Sequence, residues 1–259
     1  FGLLGPDTLI TRREAMRITL LAFLVLFAGG LRPAFGQSHA EKIAAHDAYV
    51  SSNIVSIFYH ELGHAIIDKM SVPIFGQEED AADVLSILMI DQVYDEESAQ
   101  DIAYDAALGF LSDAEQAEEL AFWGVHGLDE QRFYNLICLF YGVNPADRIF
   151  FADDLGLLEE RADSCPEEYD QAIVSWGGVL DQMAALKGKI IFEGPVESLI
   201  GQVVAEEITF LNGQLGFPVD FEVLIETCEE ANAFYDPETG SVTLCAEFET
   251  YLSRQYENM

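Results

Sequence analysis

The sequence predicts a mainly α-helical α+β fold, with a small antiparallel β-hairpin or sheet near the C-terminus. Three observations carry this. Up to about residue 187, apolar residues recur at helical spacing in stretches divided by proline and glycine. Convincing runs of β-branched and aromatic residues begin only after Gly188. Two of those runs flank Asp236-Pro237-Glu238-Thr239-Gly240, the best turn signal in the chain. At 259 residues, 50% hydrophobic and 12% aromatic, the chain is globular and can bury a sizeable core.

Residues 12–37 read as an export signal, which sets a first segment of 1–36. Arg12, Arg13 and Arg17 form a basic front, Ile18 to Leu31 is an apolar run of 14, and Ala34-Phe35-Gly36 places small residues before Gln37. The run is short for a membrane span, so a cleaved signal is expected, with an uncleaved membrane anchor as the alternative. Thr11-Arg12-Arg13-Glu14 loosely resembles the twin-arginine export motif; a start at Met16 would leave that pair untranslated and imply the general secretory route. Four cysteines suit an exported protein, periplasmic or extracellular. Cys228 and Cys245 flank the turn almost symmetrically, which pairs them and leaves Cys138 with Cys165. Twelve basic against 46 acidic residues give a formal net charge of -34, so nucleic acid and anionic membranes are excluded as partners. The acids are spread over the chain, as on a heavily solvated surface suited to salt.

The first helix is expected over residues 44–70 and carries His60-Glu61-Leu62-Gly63-His64 in its second half. Residues four apart on a helix share a face, so His60 and His64 can aim at one point. Glu61 borders the same face, placed to take a proton from a water at that point rather than to ligate. Val55, Phe58, Leu62, Ala65 and Ile66 occupy the opposite side, so the helix turns its back to a core and its front to a cleft. With only five histidines, this HExxH spacing arises by chance in roughly one such chain in 100. It reads as a zincin-like active-site helix holding one Zn²⁺.

Residues 71–77, with Pro73 and Gly76, break the helix and let the chain fold back. Glu78 then opens a second helix. Its acids suit the helix dipole, but an antiparallel return also brings them beside His64, where a third ligand is needed. Glu79 is assigned as that ligand and Asp83, on the same face, as the carboxylate that accepts the free ring N–H of a ligand histidine. Glu78 is the rival for the ligand role. Here the Glu-x-x-x-Asp element looks like that of the thermolysin-like zinc peptidases, the gluzincins. HELGHA with GQEEDAAD, the segments at 126–142 and 160–169, and Cys228 to Cys245 more closely resemble a bacterial family of metallopeptidase-like proteins of undefined function. The resemblance covers most of residues 50–250. The separation of His64 from Glu79 is shorter than is usual in thermolysin-like enzymes.

Residues 97–124 read as an acidic scaffold helix. Asp129 reads as the N-cap of a helix running to Tyr141. His126, Arg132 and Tyr134 around that start are candidates to donate to the carbonyl oxygen of a substrate, with His126 leading; the alternative is capping and local ion pairing. Residues 166–186 form an amphipathic helix with Trp176 on its apolar side. Residues 189–192 form a strand, 195–211 a helix, and 219–228 with 241–245 paired strands. In thermolysin-like enzymes an edge strand beside the active-site helix holds an extended peptide, and here it would have to come from this C-terminal region.

The chain is thus read as a signal at 1–36, a helical zinc metallopeptidase core at 37–187, and a C-terminal α+β segment at 188–259 packing on the same domain. The expected activity is hydrolysis of peptide bonds in a peptide or protein substrate. Glu61 and His126 would be catalytic, and His60, His64 and Glu79 would hold the metal. A non-catalytic zinc- or peptide-binding protein of the same fold, or another zinc hydrolase, is the alternative.

Overall fold

A computed structural model describes residues 39–259, with side chains from residue 42; the export-signal segment lies outside the described residues. Helix α1 (His39–Met70) is the axis of the molecule. Against it pack α2 (Glu78–Val93), α3 (Glu96–Gln116), α8 (Leu199–Gln214) and α9 (Glu247–Asn258). The helices α4 (Asp129–Val143), α5 (Ile149–Asp154), α6 (Glu159–Ala162) and α7 (Cys165–Met183) form the outer part of the helical layer. Val55, Phe58, Leu62, Ala65 and Ile66 are all buried, as their spacing requires.

The breaks have local causes. Ser71 adopts a left-handed conformation at φ 51°, Val72 N–H closes back on the Ile67 carbonyl at 2.9 Å, and Pro73 prevents the helix from resuming. Asp95 caps α3 by accepting from the Ser98 N–H at 3.1 Å. Helix α3 ends at Gln116, short of the expected residue 124, and residues 117–128 run as a loop through Gly124 and Gly127. Leu128 is the N-cap residue of α4 and Asp129 its first helical residue, one position from expectation.

Four strands follow: β1 (Ile190–Glu193), β2 (Phe221–Glu226), β3 (Ala233–Asp236) and β4 (Ser241–Cys245), in the order β1-β2-β4-β3. The sheet is mixed rather than antiparallel. β1 and β2 are parallel, with α8 as their crossover, and β2 is parallel to β4. The hairpin around Pro237 is made by β3 and β4, with Asp236 opposite Ser241, and not by residues 219–228. All five residues of β4 are buried, because it is flanked on both edges; alternation alone cannot tell which neighbour is antiparallel.

Both expected disulfides are present, Cys138–Cys165 and Cys228–Cys245. The second joins the chain just beyond β2 to the end of β4, where Glu226 lies beside Cys245 in the parallel register, so the pairing arises from strand ends rather than from symmetry about a turn. A buried ion cluster and a buried carboxylate–hydroxyl cluster tie the helices together. Arg148 is 2% exposed and reaches Asp91 at 2.7 Å, Glu96 at 2.8 Å and the Phe140 carbonyl at 2.8 Å. Glu207 of α8 accepts from the hydroxyls of Tyr59 at 2.7 Å and Tyr94 at 2.5 Å. No helix among the described residues is long and apolar enough to cross a membrane.

Candidate metal centre and its cleft

The approach of α2 to α1 begins at Gly63, between the two motif histidines. A Cβ there would meet Ala82 Cα at 3.0 Å and its Cβ at 3.1 Å, so glycine allows the closest contact of the two helices at this level. The first turns of α2 thereby lie over the histidine face. Glu79 Oε2 is 3.2 Å from His60 Nε2 and 3.2 Å from His64 Nε2, and the two Nε2 atoms are 3.2 Å apart.

Each histidine is held from behind. His60 Nδ1 pairs with Asp83 Oδ1 at 2.7 Å, and His64 Nδ1 with Glu78 Oε1 at 2.9 Å. With Nδ1–H donated to a carboxylate, a ring that binds a metal would turn its Nε2 lone pair to the common point; without one, His60 Nε2 pairs with Glu79. Glu78, the rival ligand of the sequence reading, therefore stands behind His64, while Glu79 stands between the rings. Arg132 does not face the cleft. Its Nε and Nη2 donate to the two Asp83 oxygens at 2.8 Å each, and its guanidinium stacks on Phe110 at 4.3 Å, so it fixes the carboxylate that fixes His60. His126 reaches in from the loop after α3, with Nδ1 3.1 Å from Glu79 Oε2. His60, Glu79 and His126 alone offer three ligand atoms within 4.8 Å of one another. Tyr134 is an exposed residue of α4 stacked edge-on against Phe133, and it lines neither hollow beside the centre.

Electrostatics follow from this crowding in the protein alone. Burial works to lower the His60 pKa, but the hydrogen bonds to Asp83 and Glu79 outweigh it and push it up to about 9. Burial works to raise Glu79 and Asp83, yet His126 and the motif histidines hold Glu79 far below the usual carboxylate range, and Arg132 with His60 does the same for Asp83. Glu61 is 6% exposed, and its burial lifts its pKa against the pull of His60 and His64. A carboxyl lifted in this way holds a proton more readily than an exposed one.

A cleft of about 790 Å³ opens at the centre, bounded by Glu61, His64, Glu78, His126 and the strand β3. β3 is one of the two outer strands of the sheet, and Ala233, Phe234 and Tyr235 line the cleft. Tyr235 donates to Asp68 at 2.5 Å, which ties the strand to α1 one helical turn beyond His64. Neither Asp68 nor Tyr235 carries a sequence signal, because their meeting depends on the sheet order.

Metal fit can be judged from the donor set. Two imidazole nitrogens and one carboxylate oxygen form a triangle with three sides of 3.2 Å. Ligands bound to tetrahedral zinc at about 2.0–2.1 Å lie about 3.3 Å apart, so the triangle matches one face of such a site. No curated protein and no solved structure matches the chain. The profile of a family described as "Putative metallopeptidase" matches residues 24–180 and 197–259. By that match over most of its length, the chain belongs to this metallopeptidase family.

Proposed function

We propose that the protein is a zinc-dependent peptidase of gluzincin type, in which His60, His64 and Glu79 hold the ion and Glu61 is the general base. The observation that carries this is the 3.2 Å triangle of His60 Nε2, His64 Nε2 and Glu79 Oε2, backed on both histidines by carboxylates. Bound zinc would supply a Lewis acid that polarises the substrate carbonyl and acidifies a water.

The chain's own residues supply the rest. Glu61 takes the proton from the attacking water and gives it to the leaving amine, a role its burial-raised pKa suits. His126, half exposed on its loop, donates from its ring to the carbonyl oxygen as negative charge develops there. Outer strand β3 holds the extended substrate by main-chain hydrogen bonds, with the α1 side of the cleft opposite it. Arg132 and Asp83 keep the His60 ring aimed. The two disulfides suit a chain that works outside the cytoplasm, in line with the signal read at residues 1–36.

The test is zinc content of the mature chain together with cleavage of a mixed peptide library. Glu61→Gln is expected to retain zinc and to lose at least ~100-fold in turnover. Full cleavage by that variant refutes the mechanism, and a zinc-loaded wild-type chain that cleaves no peptide refutes the peptidase reading.

A further inference from the structure

A second, smaller hollow of about 220 Å³ adjoins the cleft and shares Glu61, His126, Asn232 and Ala233 with it. Small-molecule sites usually take about 300–1,000 Å³, so this one has the room of a single side chain. An extended peptide lying along β3 past Glu61 would turn one of its side chains into it.

Its lining is mixed, with Ile57, Phe110, Phe248 and Leu252 set among polar side chains that include Arg132 and Asp83. Phe110 and Phe248 line the sides, and Asp113 of α3 lies beyond them. Asp113 Oδ1 accepts from the Tyr251 hydroxyl and from Gln255 Nε2, the latter at 2.8 Å, both donors coming from α9. Among the described residues, no hydrogen bond engages Asp113 Oδ2. Arg132 acts on this carboxylate through space but makes no ion pair or hydrogen bond with it. Arg132 is committed to Asp83 through both oxygens, His60 is committed to Asp83 and the metal face, and His126 to Glu79. Glu61 adds a further acid to the lining.

We propose that this hollow is a specificity pocket for a basic side chain, lysine or arginine, on the substrate residue next to the scissile bond, with Asp113 Oδ2 as its acceptor. The proposal rests on the peptidase reading above and names the substrate class for that site. The Phe110 ring already carries the Arg132 guanidinium at 4.3 Å, so an entering guanidinium or ammonium group packs on Phe248 and reaches the unused oxygen. A neutral side chain leaves the carboxylate half-buried with no ion-pair partner. Burial and the nearby Asp129 already push the Asp113 pKa up, against the pull of Tyr251, Arg132 and Gln255.

The experiment uses matched peptides that differ at one position, arginine against its neutral isostere citrulline. They are offered to the wild-type chain for cleavage and to Glu61→Gln for binding by fluorescence anisotropy. Arginine is expected to win by at least ~10-fold in both assays, and Asp113→Asn to reduce that preference to less than ~3-fold. Equal handling of arginine and citrulline by the wild-type chain overturns the proposal, and this arm does not depend on how Asp113→Asn folds. An undiminished arginine preference in a folded Asp113→Asn chain overturns the role of Asp113. Arginine-selective binding without any cleavage leaves the pocket standing and refutes the peptidase reading instead.

Discussion

Replacing Asp83 by asparagine separates the proposed metal centre from its support without changing side-chain size. Asp83 accepts from His60 Nδ1 at 2.7 Å and from Arg132 Nε and Nη2 at 2.8 Å each. Asparagine keeps one acceptor, so at least one of these three bonds is lost and an N–H₂ group is turned toward a donor. The Arg132 side chain is only 17% exposed, so its charge would remain largely buried without a partner. Breaking such a pair costs about 3–5 kcal/mol when the site is dry, and some water access here places the stability loss nearer about 2–3 kcal/mol. The His60 ring loses its fixed tautomer, which in comparable sites weakens metal binding about 10–100-fold, or about 1.4–2.7 kcal/mol. The assays are zinc competition against a chromophoric chelator and thermal unfolding of the metal-free chain. Wild-type zinc affinity in a folded Asp83→Asn chain would refute the reasoning that Arg132 and Asp83 aim His60.

Other expectations follow from the same geometry. Gly63→Val should push α2 off α1 at Ala82, lowering stability by about 1–3 kcal/mol and zinc affinity with it; unchanged values in chelator competition and calorimetry would show that the helices have room to spare. Burial, aided by Asp101, lifts the Asp105 pKa from 3.8 to about 6 despite the hydrogen bond with Ser52. Its contribution to stability is therefore full below pH 3.8 and is lost as pH rises through about 6. Asp105→Asn should accordingly stabilise the chain above pH 6 by less than about 3 kcal/mol, with the gain vanishing toward pH 4, as read from chemical denaturation at several pH values. With a formal net charge of -34, the protein should melt at higher temperature as sodium chloride is raised from low to molar concentration, and a flat profile would remove self-repulsion as a factor.

What could be read without coordinates was what local geometry decides. The shared face of His60 and His64, the position of Glu61 beside it and the buried back of α1 all follow from a rotation of 100° per residue. The break at Pro73 and the acidic start of α2 follow from single residue types. Glu79 and Asp83, four apart on one helix, were legible once an antiparallel return was assumed, and that return needed only a short loop. The loss of helix beyond Gln116 was not legible, since residues 117–124 contain helix-compatible alanine, glutamate and leucine. The C-terminal helix α9 adds to the expected elements; its Phe248, Tyr251, Leu252 and Gln255 lie at helical spacing.

Three matters were decided only by the tertiary structure. Glu78 and Glu79 have the same chemistry, and which one stands between the histidines depends on the rotation of α2 against Gly63. Strand order was beyond reach because hydrogen bonds between strands join residues far apart in the chain: β2 alternates as an antiparallel partner would, yet pairs parallel with β4 and leaves β3 outermost beside the cleft. The hollow ending in Asp113 needs α1, α3, α9 and β3 to converge, and no stretch of sequence contains that convergence. The sequence by itself determined which residues share a helix face, because that is set by rotation about one axis. The tertiary structure decided which faces and strand edges meet, because that depends on packing the whole core at once.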